Sequence, residues 1–416
     1  MQKTIYPGPV CGELTAPASK SYAQRAIAAV LLAGGRSELL HMGLCDDTRA
    51  SNGVARALGA ANAVEGTACT VSGGLEPRAS TLHIGESGLA TRLFTPIAAL
   101  CSQPVTITGE GSILRRPVGM MTAPLEALGA RVVTSDGYLP LTVTGPLRGG
   151  VAEVDGSLSS QFITGLLMAL PLAAGDTTLH VDRLNSIPYI DMTLGVLAAF
   201  GIEVSHEEYR RFFIPGGQSY VPASYNIEGD WSGASCLLVA GAVAGEVTVT
   251  NLDTLSLQAD RAILDALSAA GAEVVTERDR ATVRRRGLRA FRFDATHCPD
   301  LFPALVALAA YCEGETVLTG TTRLTHKESD RAQTLAGEFG KLGVRVDISE
   351  PDTMRVTGGP VHGATAESHG DHRIAMALAT AALGAGGPVT IGRAEVVNKS
   401  YDRFWDDLSR ITDAKD

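Results

Sequence analysis

The segment LTHKESDRAQTLAGEFGKLG, residues 324–343, contains five polar or charged residues in succession ahead of a predicted helix. Such a run is typical of a solvated helix start, because Ser and Asp are side chains that helix N-termini prefer. The run also contains two cations and two carboxylates, the residue types that bind an anion and transfer a proton. We predict that Ser329 and Asp330 cap the helix. The residues that we predict to contact a substrate are Lys327, Glu328 and Arg331.

Clusters of a similar kind precede four strongly apolar segments: SKSYAQR at 19–25, GESGLATR at 85–92, SSQ at 159–161 and GDHR at 370–373. An apolar helix that is buried on all sides still carries unpaired N–H groups and a partial positive charge at its N-terminus. Stability alone favours Asp or Glu there, whereas three of these clusters contain Lys or Arg. Because a cation at a helix N-terminus violates a local rule, the pattern predicts an anion-binding site.

The chain repeats itself with a period of about 70 residues. Five helix ends place glycines at intervals of 70 or 72 residues: Gly59, Gly129, Gly201, Gly271 and Gly343. Six polar helix starts recur at intervals of 67 to 72 residues, marked by Ser21, Gly88, Ser160, Ser232, Asp300 and His372. The pattern of each repeat predicts a strand, an apolar helix, a strand, an amphipathic helix and a hairpin, which is a βαβαββ repeat. The apolar helices exclude a propeller, whose blades contain strands only.

Six repeats in 416 residues are too much material for one core, so we predict an α/β protein of two domains with three repeats each. The first domain is discontinuous and comprises residues 1–18 and 229–416, and the second comprises residues 19–228. The sixth repeat lacks its closing strands, and we expect KTIYPGP and CGELTAP at the N-terminus to supply them. The six helix starts are expected to line an inter-domain cleft that binds anions.

The composition excludes several classes of partner. The formal net charge of −10 provides no basic footprint for nucleic acid. The longest apolar runs, such as AIAAVLLAGG, are too short to span a bilayer, so we expect no membrane partner. The seven cysteines form no CxxC pair, which favours a reduced cytoplasmic protein without a zinc site. We expect a cytoplasmic monomer that acts on small-molecule substrates with neither a metal nor another cofactor.

Ten phrases of the sequence, in order, resemble the enolpyruvyl transferase family. They are SKSYAQRA, GESGLATR, RRPVG, SSQFITGLLMALPLA, SIPYIDMTL, EGDWSGAS, PDLFPALVALAA, HKESDR, GDHRIAMALA and NKSYDRFWDDL. The resemblance covers nearly the whole chain and implies two domains of three βαβαββ repeats that close on the substrates. It implies transfer of the enolpyruvyl group of phosphoenolpyruvate to the 5-hydroxyl of shikimate 3-phosphate, with loss of phosphate from a tetrahedral intermediate. The product belongs to aromatic amino acid biosynthesis.

The resemblance also implies roles for individual residues. Contacts to shikimate 3-phosphate are implied for Lys20, Ser21, Arg25, Ser159, Ser160, Gln161, Ser186, Tyr189, Asp300 and Lys327. Contacts to phosphoenolpyruvate are implied for Lys20, Gly88, Arg116, Gln161, Arg331, Arg373 and Lys399. The implied catalytic residues are Asp300 as base at the hydroxyl, Glu328 as acid at the methylene carbon, and Lys20.

Two alternatives use the same repeats. An enolpyruvyl transferase acting on a UDP-sugar typically has a cysteine near RRP, whereas GSILRRPVGMMT contains none. A non-catalytic paralogue that binds a phosphorylated ligand is suggested by Glu86, where the family usually shows Asn, and by Leu89, where it usually shows Thr. A carboxylate beside a phosphoenolpyruvate site repels the substrate unless it is protonated or turned away.

Overall fold

Two compact units make up the chain. The structure is a computed structural model that describes residues 1–65, 68–157, 159–325 and 327–412. The discontinuous unit comprises Met1–Pro17 and Glu228–Asp416, and the continuous unit comprises Ala18–Ile227. Each of these bounds lies one residue before the bound expected from the repeats. His326 of the HKESDR phrase lies outside the described residues.

The two N-terminal strands belong to the discontinuous unit, and the elements up to residue 226 belong to the continuous one. The N-terminal strands are β1 (Gln2–Ile5) and β2 (Val10–Thr15). The elements of the continuous unit are α1 (Lys20–Leu32), β3 (Gly35–Leu40), α2 (Asp46–Ala57), β4 (Ala61–Glu65), β5 (Ala68–Gly73), β6 (Thr81–His83), α3 (Gly88–Ala98), β7 (Val105–Thr108), α4 (Thr122–Ala127), β8 (Arg131–Ser135), β9 (Tyr138–Thr144), β10 (Gly150–Asp155), α5 (Ser160–Ala169), β11 (Thr177–Asp182), α6 (Ile187–Ala199), β12 (Ser205–Glu207), β13 (Arg211–Ile214) and β14 (Ser224–Asn226).

The remaining elements return to the discontinuous unit. They are α7 (Trp231–Ala244), β15 (Gly245–Thr250), α8 (Ile263–Ala270), β16 (Glu273–Glu277), β17 (Arg280–Arg284), β18 (Arg292–Asp294), α9 (Phe302–Ala309), β19 (Glu315–Thr319), α10 (Arg331–Lys341), β20 (Arg345–Asp347), β21 (Thr353–Thr357), β22 (Ala364–Glu367), α11 (His372–Ala382), β23 (Val389–Gly392) and α12 (Phe404–Thr412). Short 3-10 turns precede several helices, including Ala259–Ala262 before α8 and Pro299–Leu301 before α9.

Each unit contains three small mixed sheets with one recurring strand pattern. The sheets of the continuous unit have the orders β14-β3-β5-β4, β6-β7-β9-β8 and β10-β11-β13-β12. In each sheet the first two strands are parallel and a hairpin adds the antiparallel strands. A parallel pair requires a crossover connection, which an apolar helix such as α5 supplies between β10 and β11. The predicted α/β fold of six βαβαββ repeats is confirmed, with the exception of one strand assignment.

That exception concerns the N-terminal strands. KTIYPGP provides β1, which is antiparallel to β23 in the sheet β22-β23-β1, as expected for the sixth repeat. CGELTAP provides most of β2, which instead runs parallel to β15 in the sheet β16-β17-β15-β2. The expectation that β2 closes the sixth repeat is therefore wrong. The strand that precedes α7 in sequence, β14, pairs with β3 of the continuous unit, so the fourth repeat takes its first strand from the N-terminus.

Apolar helices fill the two cores because their side chains are small. Every residue of α7 and of α11 is buried, and both are rich in Ala. A Cβ atom on Gly165 of α5 would overlap the carbonyl oxygen of Arg92, so α3 and α5 approach each other closely. Among the described residues, none of the helices combines the length and apolar character that crossing a bilayer requires.

Candidate active site

Serine side chains cap the three apolar helices of the continuous unit. Ser19 Oγ accepts a hydrogen bond from the backbone at the start of α1, at 3.5 Å. Ser87 does so at α3, at 3.2 Å, and Ser159 at α5, also at 3.2 Å. A neutral cap satisfies one N–H group but leaves the partial positive charge of the helix N-terminus uncompensated. All three helix starts therefore favour an anion.

The starts of these three helices lie together. Gln24 Nε2, in the second turn of α1, donates to Ser87 Oγ at 2.8 Å. Arg92 Nη1, in the second turn of α3, donates to Gln161 Oε1 at the start of α5, at 3.5 Å. Equivalent positions of the three repeats thus meet within this unit, as the repeat pattern predicts. The proposed phosphoenolpyruvate contact Gln161 is already in contact with a cation.

Two neighbouring guanidinium groups, Arg92 and Arg116, form the most cationic part of this helix-start cluster; Arg92 is buried and Arg116 is half-buried. Arg92 Nη2 donates to the carbonyl oxygen of Pro117 at 2.9 Å, and the Nε atoms of Arg92 and Arg116 are buried without a hydrogen-bond partner. Burial, and secondarily the charge of Arg116, lowers the pKa of Arg92 to about 9. A Cβ on Gly88 would lie 2.7 Å from Arg116 Cζ, so only glycine lets Arg116 pack against the start of α3. Sequence reasoning placed Arg92 in a cationic cluster but not among the substrate contacts.

Lys20 opens α1 and pairs with a carboxylate that sequence reasoning missed. Its Nζ lies 3.0 Å from Asp47 Oδ2, and the two side chains are only 14% and 6% exposed. Asp47 belongs to the first turn of α2, where an acidic residue reads as an ordinary helix start. The ion pair fixes Lys20 at the same helix start as Ser21, which is the arrangement that an anion-binding lysine needs.

Arg25 joins α1, α5 and α6. Its guanidinium donates to Thr193 Oγ1 at 2.9 Å, to Thr164 Oγ1 at 3.3 Å and to the carbonyl oxygens of Tyr189 and Ser21 at 3.0 and 2.8 Å. Burial lowers its pKa to about 10. Most of its N–H groups are therefore committed within the protein. Its expected contact with shikimate 3-phosphate stays a prediction. It does bind the backbone of two other expected contacts, Ser21 and Tyr189.

The start of α6 has an unusual backbone. Ser186 has φ 59° and ψ 45°, the left-handed conformation, and its side chain makes no capping hydrogen bond. A non-glycine residue rarely adopts this conformation unless its surroundings or its function require it. The conformation leaves the Ser186 hydroxyl free of the capping role that Ser19, Ser87 and Ser159 perform. It fits the expected role of Ser186 as a ligand contact.

Glu86, the residue that argued for a non-catalytic paralogue, is bound by a neighbouring serine. Its Oε2 accepts hydrogen bonds from Ser112 N at 2.9 Å and from Ser112 Oγ at 2.6 Å. The carboxylate thus caps the 3-10 turn Gly111–Arg115. Two donors stabilise its negative charge, so the presence of Glu at this position is compatible with an anion site.

Aspartate side chains cap two of the three corresponding helices of the discontinuous unit, α7 and α11, whereas the third, α9, has no side-chain cap among the described residues. Asp230 accepts from two backbone N–H groups of α7 at 2.8 and 3.0 Å, and Asp371 accepts from Arg373 N of α11 at 3.0 Å. Asp330 caps α10, as predicted. Ser329 does not cap that helix, because its hydroxyl bonds Asp371 Oδ2 at 3.2 Å instead. The starts of α7, α10 and α11 are consequently occupied by carboxylates.

Arg331 is surrounded by three of these carboxylates. Its Nε lies 2.8 Å from Asp371 Oδ2, its Nη1 2.7 Å from Asp300 Oδ1 and its Nη2 2.7 Å from Glu328 Oε2. Burial disfavours its charged form, but Asp371, Glu328 and Asp300 outweigh that effect and raise its pKa well above the ordinary value. Arg331 therefore orients the two expected proton-transfer residues, Asp300 and Glu328, in one network.

Asp300 is a strongly perturbed carboxylate of the network. Besides Arg331 it has Lys327 Nζ at 3.1 Å and Arg373 Nη2 at 3.4 Å. Burial opposes its ionisation, but Arg373, Lys327 and Arg331 hold its pKa well below the ordinary value. Lys399 Nζ, another expected contact, lies 3.8 Å from Glu328 Oε1. The discontinuous unit thus brings together all of its expected site residues.

A further buried carboxylate, Asp260, borders this network. It lies in the 3-10 turn before α8 and is 4% exposed. Burial, followed by the charge of Asp300, raises its pKa to about 6, although Arg373 acts in the opposite direction. Sequence reasoning missed Asp260 because nothing in LQADRA marks it as more than a polar helix start. Among the described residues, no group of His, Cys, Asp and Glu side chains is arranged to hold a metal ion.

Comparison with known proteins identifies the family. The sequence model of EPSP synthase (3-phosphoshikimate 1-carboxyvinyltransferase) matches residues 5–408 of the chain. The chain belongs to the EPSP synthase family. Its membership confirms the resemblance on which the residue roles depend, and it favours the shikimate branch over the UDP-sugar branch.

Relatives in the EPSP synthase family match the chain from end to end. The 3-phosphoshikimate 1-carboxyvinyltransferase of Thermococcus kodakarensis is 41% identical over 97% of this chain and 98% of the relative. That of Methanoculleus marisnigri is 39% identical over 96% of this chain and 97% of the relative. The solved EPSP synthase of Acinetobacter baumannii has a TM-score of 0.83 at 28% identity, covering 99% of this chain and 98% of that one.

Proposed function

We propose that the two units contribute different chemistry to the reaction of the EPSP synthase family. As a member of that family the chain is a 3-phosphoshikimate 1-carboxyvinyltransferase of the shikimate pathway, with shikimate 3-phosphate and phosphoenolpyruvate as substrates. The continuous unit binds substrate anions and the discontinuous unit moves protons. The single observation that carries this division is the difference in helix caps: neutral serines cap α1, α3 and α5, whereas aspartates cap α7 and α11.

Anion binding falls to the residues at the serine-capped helix starts. Shikimate 3-phosphate takes its contacts from α1, α5 and α6, through Lys20, Ser21, Ser159, Ser160, Ser186 and Tyr189. Phosphoenolpyruvate takes contacts from Arg116, Gln161 and Lys20. We add Arg92 to this group, because its buried Nε has no hydrogen-bond partner and its guanidinium already contacts Gln161. A desolvated guanidinium pair is strongly stabilised by a bound phosphate or carboxylate.

Proton transfer falls to Asp300 and Glu328. In the addition step Glu328 gives a proton to the methylene carbon of phosphoenolpyruvate, and Asp300 takes the proton of the 5-hydroxyl as its oxygen attacks the adjacent carbon. In the elimination step the methyl carbon loses a proton as the C–O bond to phosphate breaks. One residue near that carbon can serve as acid in the first step and as base in the second.

The cations around Asp300 also set when it can act as a base. With three cations beside it, the carboxylate holds a proton only weakly. Anionic substrates that contact Arg331, Arg373 and Lys327 compensate those charges, which raises the pKa of Asp300 toward a useful value. Substrate binding therefore activates the base. We further expect the protein to be a monomer, which size-exclusion chromatography with light scattering tests.

Phosphate release tests the proposed function. Purified protein is mixed with phosphoenolpyruvate and either shikimate 3-phosphate or a UDP-sugar acceptor, and inorganic phosphate is measured. We expect release with shikimate 3-phosphate only. Release with the UDP-sugar alone would assign the chain to the other branch of the fold, and binding of shikimate 3-phosphate without any release would identify a non-catalytic paralogue.

A further inference from the structure

Glu86 caps a 3-10 turn that the residue directly before the turn, Glu110, does not cap. The 3-10 turn Gly111–Arg115 follows Glu110, which has an extended backbone and makes no side-chain capping bond. Glu86 reaches the turn from the loop before α3 and accepts from both the backbone and the hydroxyl of Ser112. Ser112 is 8% exposed and Glu86 is half-buried, so these hydrogen bonds are partly shielded from water. A charge-assisted hydrogen bond in such surroundings is among the stronger polar contacts in a protein.

The backbone is shaped to allow this contact. Gly111 has φ +61°, and a Cβ atom at that position would overlap the Glu86 carboxylate. A second link joins the same two segments, because Glu110 N donates to the carbonyl oxygen of Gly85 at 3.0 Å. The loop before α3 and the turn are thus connected by two neighbouring polar contacts. The contact made by Glu86 uses a side chain, so a substitution can remove it.

The turn ends where the cationic pair begins. Arg116 follows directly, and its guanidinium packs against Gly88 at the start of α3. The next carbonyl, that of Pro117, accepts from Arg92 Nη2 at 2.9 Å. The segment that follows the turn therefore carries one guanidinium group, that of Arg116, and binds the other, that of Arg92, through the carbonyl of Pro117. Two like charges in partly buried surroundings repel each other and separate unless the protein holds them in place.

We propose that Glu86 is a positioning residue for the phosphoenolpyruvate site: through Ser112 it fixes the 111–117 segment and so holds Arg92 and Arg116 as an anion-binding pair. The inference rests on the proposed function for the identity of the anion. It reverses the expectation drawn from the sequence, in which a carboxylate at this position weakens the site by repulsion. The net effect of Glu86 on phosphoenolpyruvate binding is then favourable. By holding Arg92 and Arg116 in place, Glu86 strengthens binding more than the repulsion between its carboxylate and the substrate weakens it.

The test compares Glu86→Ala, Glu86→Gln and Ser112→Ala with a matched control, Glu110→Gln. Glu110 carries the same charge on the same segment, is exposed and makes no capping bond. Steady-state kinetics measure KM for phosphoenolpyruvate and kcat separately. We expect Glu86→Ala to raise KM about 10-fold with a smaller change in kcat, Glu86→Gln and Ser112→Ala to have intermediate effects, and Glu110→Gln to have none. A lower KM in Glu86→Gln would overturn the proposal in favour of simple repulsion.

A second readout does not depend on catalysis. Hydrogen exchange of the backbone amides in residues 111–116 is expected to be about 10-fold faster in Glu86→Ala than in the wild type and unchanged in Glu110→Gln. Unchanged exchange in Glu86→Ala overturns the proposal even if KM rises. Fast exchange in a protein whose wild type releases no phosphate leaves the structural role of Glu86 intact and counts against the proposed function alone. Glu86→Gln, whose amide oxygen still accepts a hydrogen bond, serves as the folded variant if Glu86→Ala is unstable.

Discussion

At the scale of single residues, the candidate site pairs each reactive carboxylate with a cation. Arg331 contacts Asp300, Glu328 and Asp371 at 2.7 to 2.8 Å, and its side chain is 1% exposed. Removing one partner of such a buried network leaves an uncompensated charge and costs more than the contact itself contributes. Substitutions that keep shape and hydrogen bonding are therefore the informative ones here.

Glu328→Gln tests the proposed acid with minimal disturbance. The amide oxygen can still accept from Arg331, but the side chain can no longer release a proton. We expect kcat to fall by about 10²-fold or more while binding of shikimate 3-phosphate, followed by calorimetry, is retained. Asp330→Asn is the matched control, because it is an equivalent change two residues away and Asn preserves the cap of α10. Wild-type kcat in Glu328→Gln would return that residue to a purely structural role.

Asp260 makes the stability of the discontinuous unit depend on pH. Its folded pKa of about 6 lies above its ordinary value of 3.8, so its contribution is fully present below 3.8 and is lost as pH rises through 6. Asp260→Asn removes the buried charge. We expect the variant to be more stable than the wild type at pH 8, by on the order of 1–3 kcal/mol, with the difference shrinking toward pH 5.

Urea unfolding at pH 5, 6, 7 and 8 measures that difference. The matched control is Asp265→Asn, an identical change at an exposed position of α8. We expect the control to show no comparable dependence on pH. A constant difference between Asp260→Asn and the wild type across this range contradicts the prediction. Asp300 does not interfere, because its depressed pKa places its own stability loss below 3.8.

The residue types of the site could be read from the sequence, but their partners could not. Glu328 and Arg331 are three residues apart in the sequence, so they are close to each other even though Glu328 precedes α10. Arg92 and Pro117, or Asp260 and Asp300, meet only because the chain folds back over tens of residues. A lone Asp in a polar stretch has no local pattern that reveals burial. Long-range partners of this kind are therefore invisible without the fold.

At the scale of elements, helix packing in the continuous unit depends on one arginine. Arg25 of α1 donates to Thr164 of α5 and to Thr193 and Tyr189 of α6. The two threonine hydroxyls also bond each other at 2.9 Å. The three helices thus share a buried polar junction directly below the expected shikimate-phosphate contacts.

Arg25→Met removes that junction while keeping much of the side-chain volume. We expect a loss of about 1–3 kcal/mol in the free energy of unfolding, because the carbonyl oxygens of Ser21 and Tyr189 lose a buried donor. Urea titration measures the loss. Arg49→Met is the control, since Arg49 is exposed and makes a single hydrogen bond, to the carbonyl oxygen of Leu44. Equal stability of the two variants would show that the junction is not needed for packing.

The positions of the helices and strands could be predicted from the sequence more fully than the pairing of the strands in the sheets. The period of about 70 residues predicts every apolar helix start, because equivalent positions of a repeat carry equivalent structure. It does not predict β2, because strand partners follow from where the chain crosses between units and not from local pattern. The caps show the same limit. Asp330 caps as its spacing indicates, whereas Ser329 is drawn away by Asp371, a partner 42 residues distant.

At the scale of the whole molecule, the two units differ in how much of the chain each one needs. The continuous unit contains all of its own strands, including β14. The discontinuous unit requires β1 and β2 from the N-terminus. Without β2, strand β15 has an exposed edge, and without β1, the sheet β22-β23-β1 is reduced to two strands. A short sheet with an open edge is marginally stable and prone to association.

Fragments of the chain test this difference. We expect residues 18–227 to fold cooperatively by circular dichroism and urea titration. Residues 228–416 alone are expected to aggregate or stay partly unfolded, and addition of residues 1–17 through a flexible linker after residue 416 is expected to restore cooperative unfolding. Ile411 of α12 contacts the backbone position of Gly12, so a linker of roughly 8–12 residues is long enough. Cooperative folding of residues 228–416 without the N-terminal strands would contradict the prediction.

Because β2 pairs with β15 and β14 pairs with β3, the order in which the chain is synthesised determines when each sheet can form. β2 ends at Thr15, which pairs with Thr250, so its partner strand is translated more than 200 residues later. At roughly 5–20 residues per second, β2 waits on the order of 10–50 s for β15. The continuous unit is complete before that moment and can mature first. During the interval Val10 and Leu14, which are buried in the finished protein, have no core to pack against. An unpaired strand of this kind can pair with another nascent chain, and the short length of β2 (six residues) limits that risk.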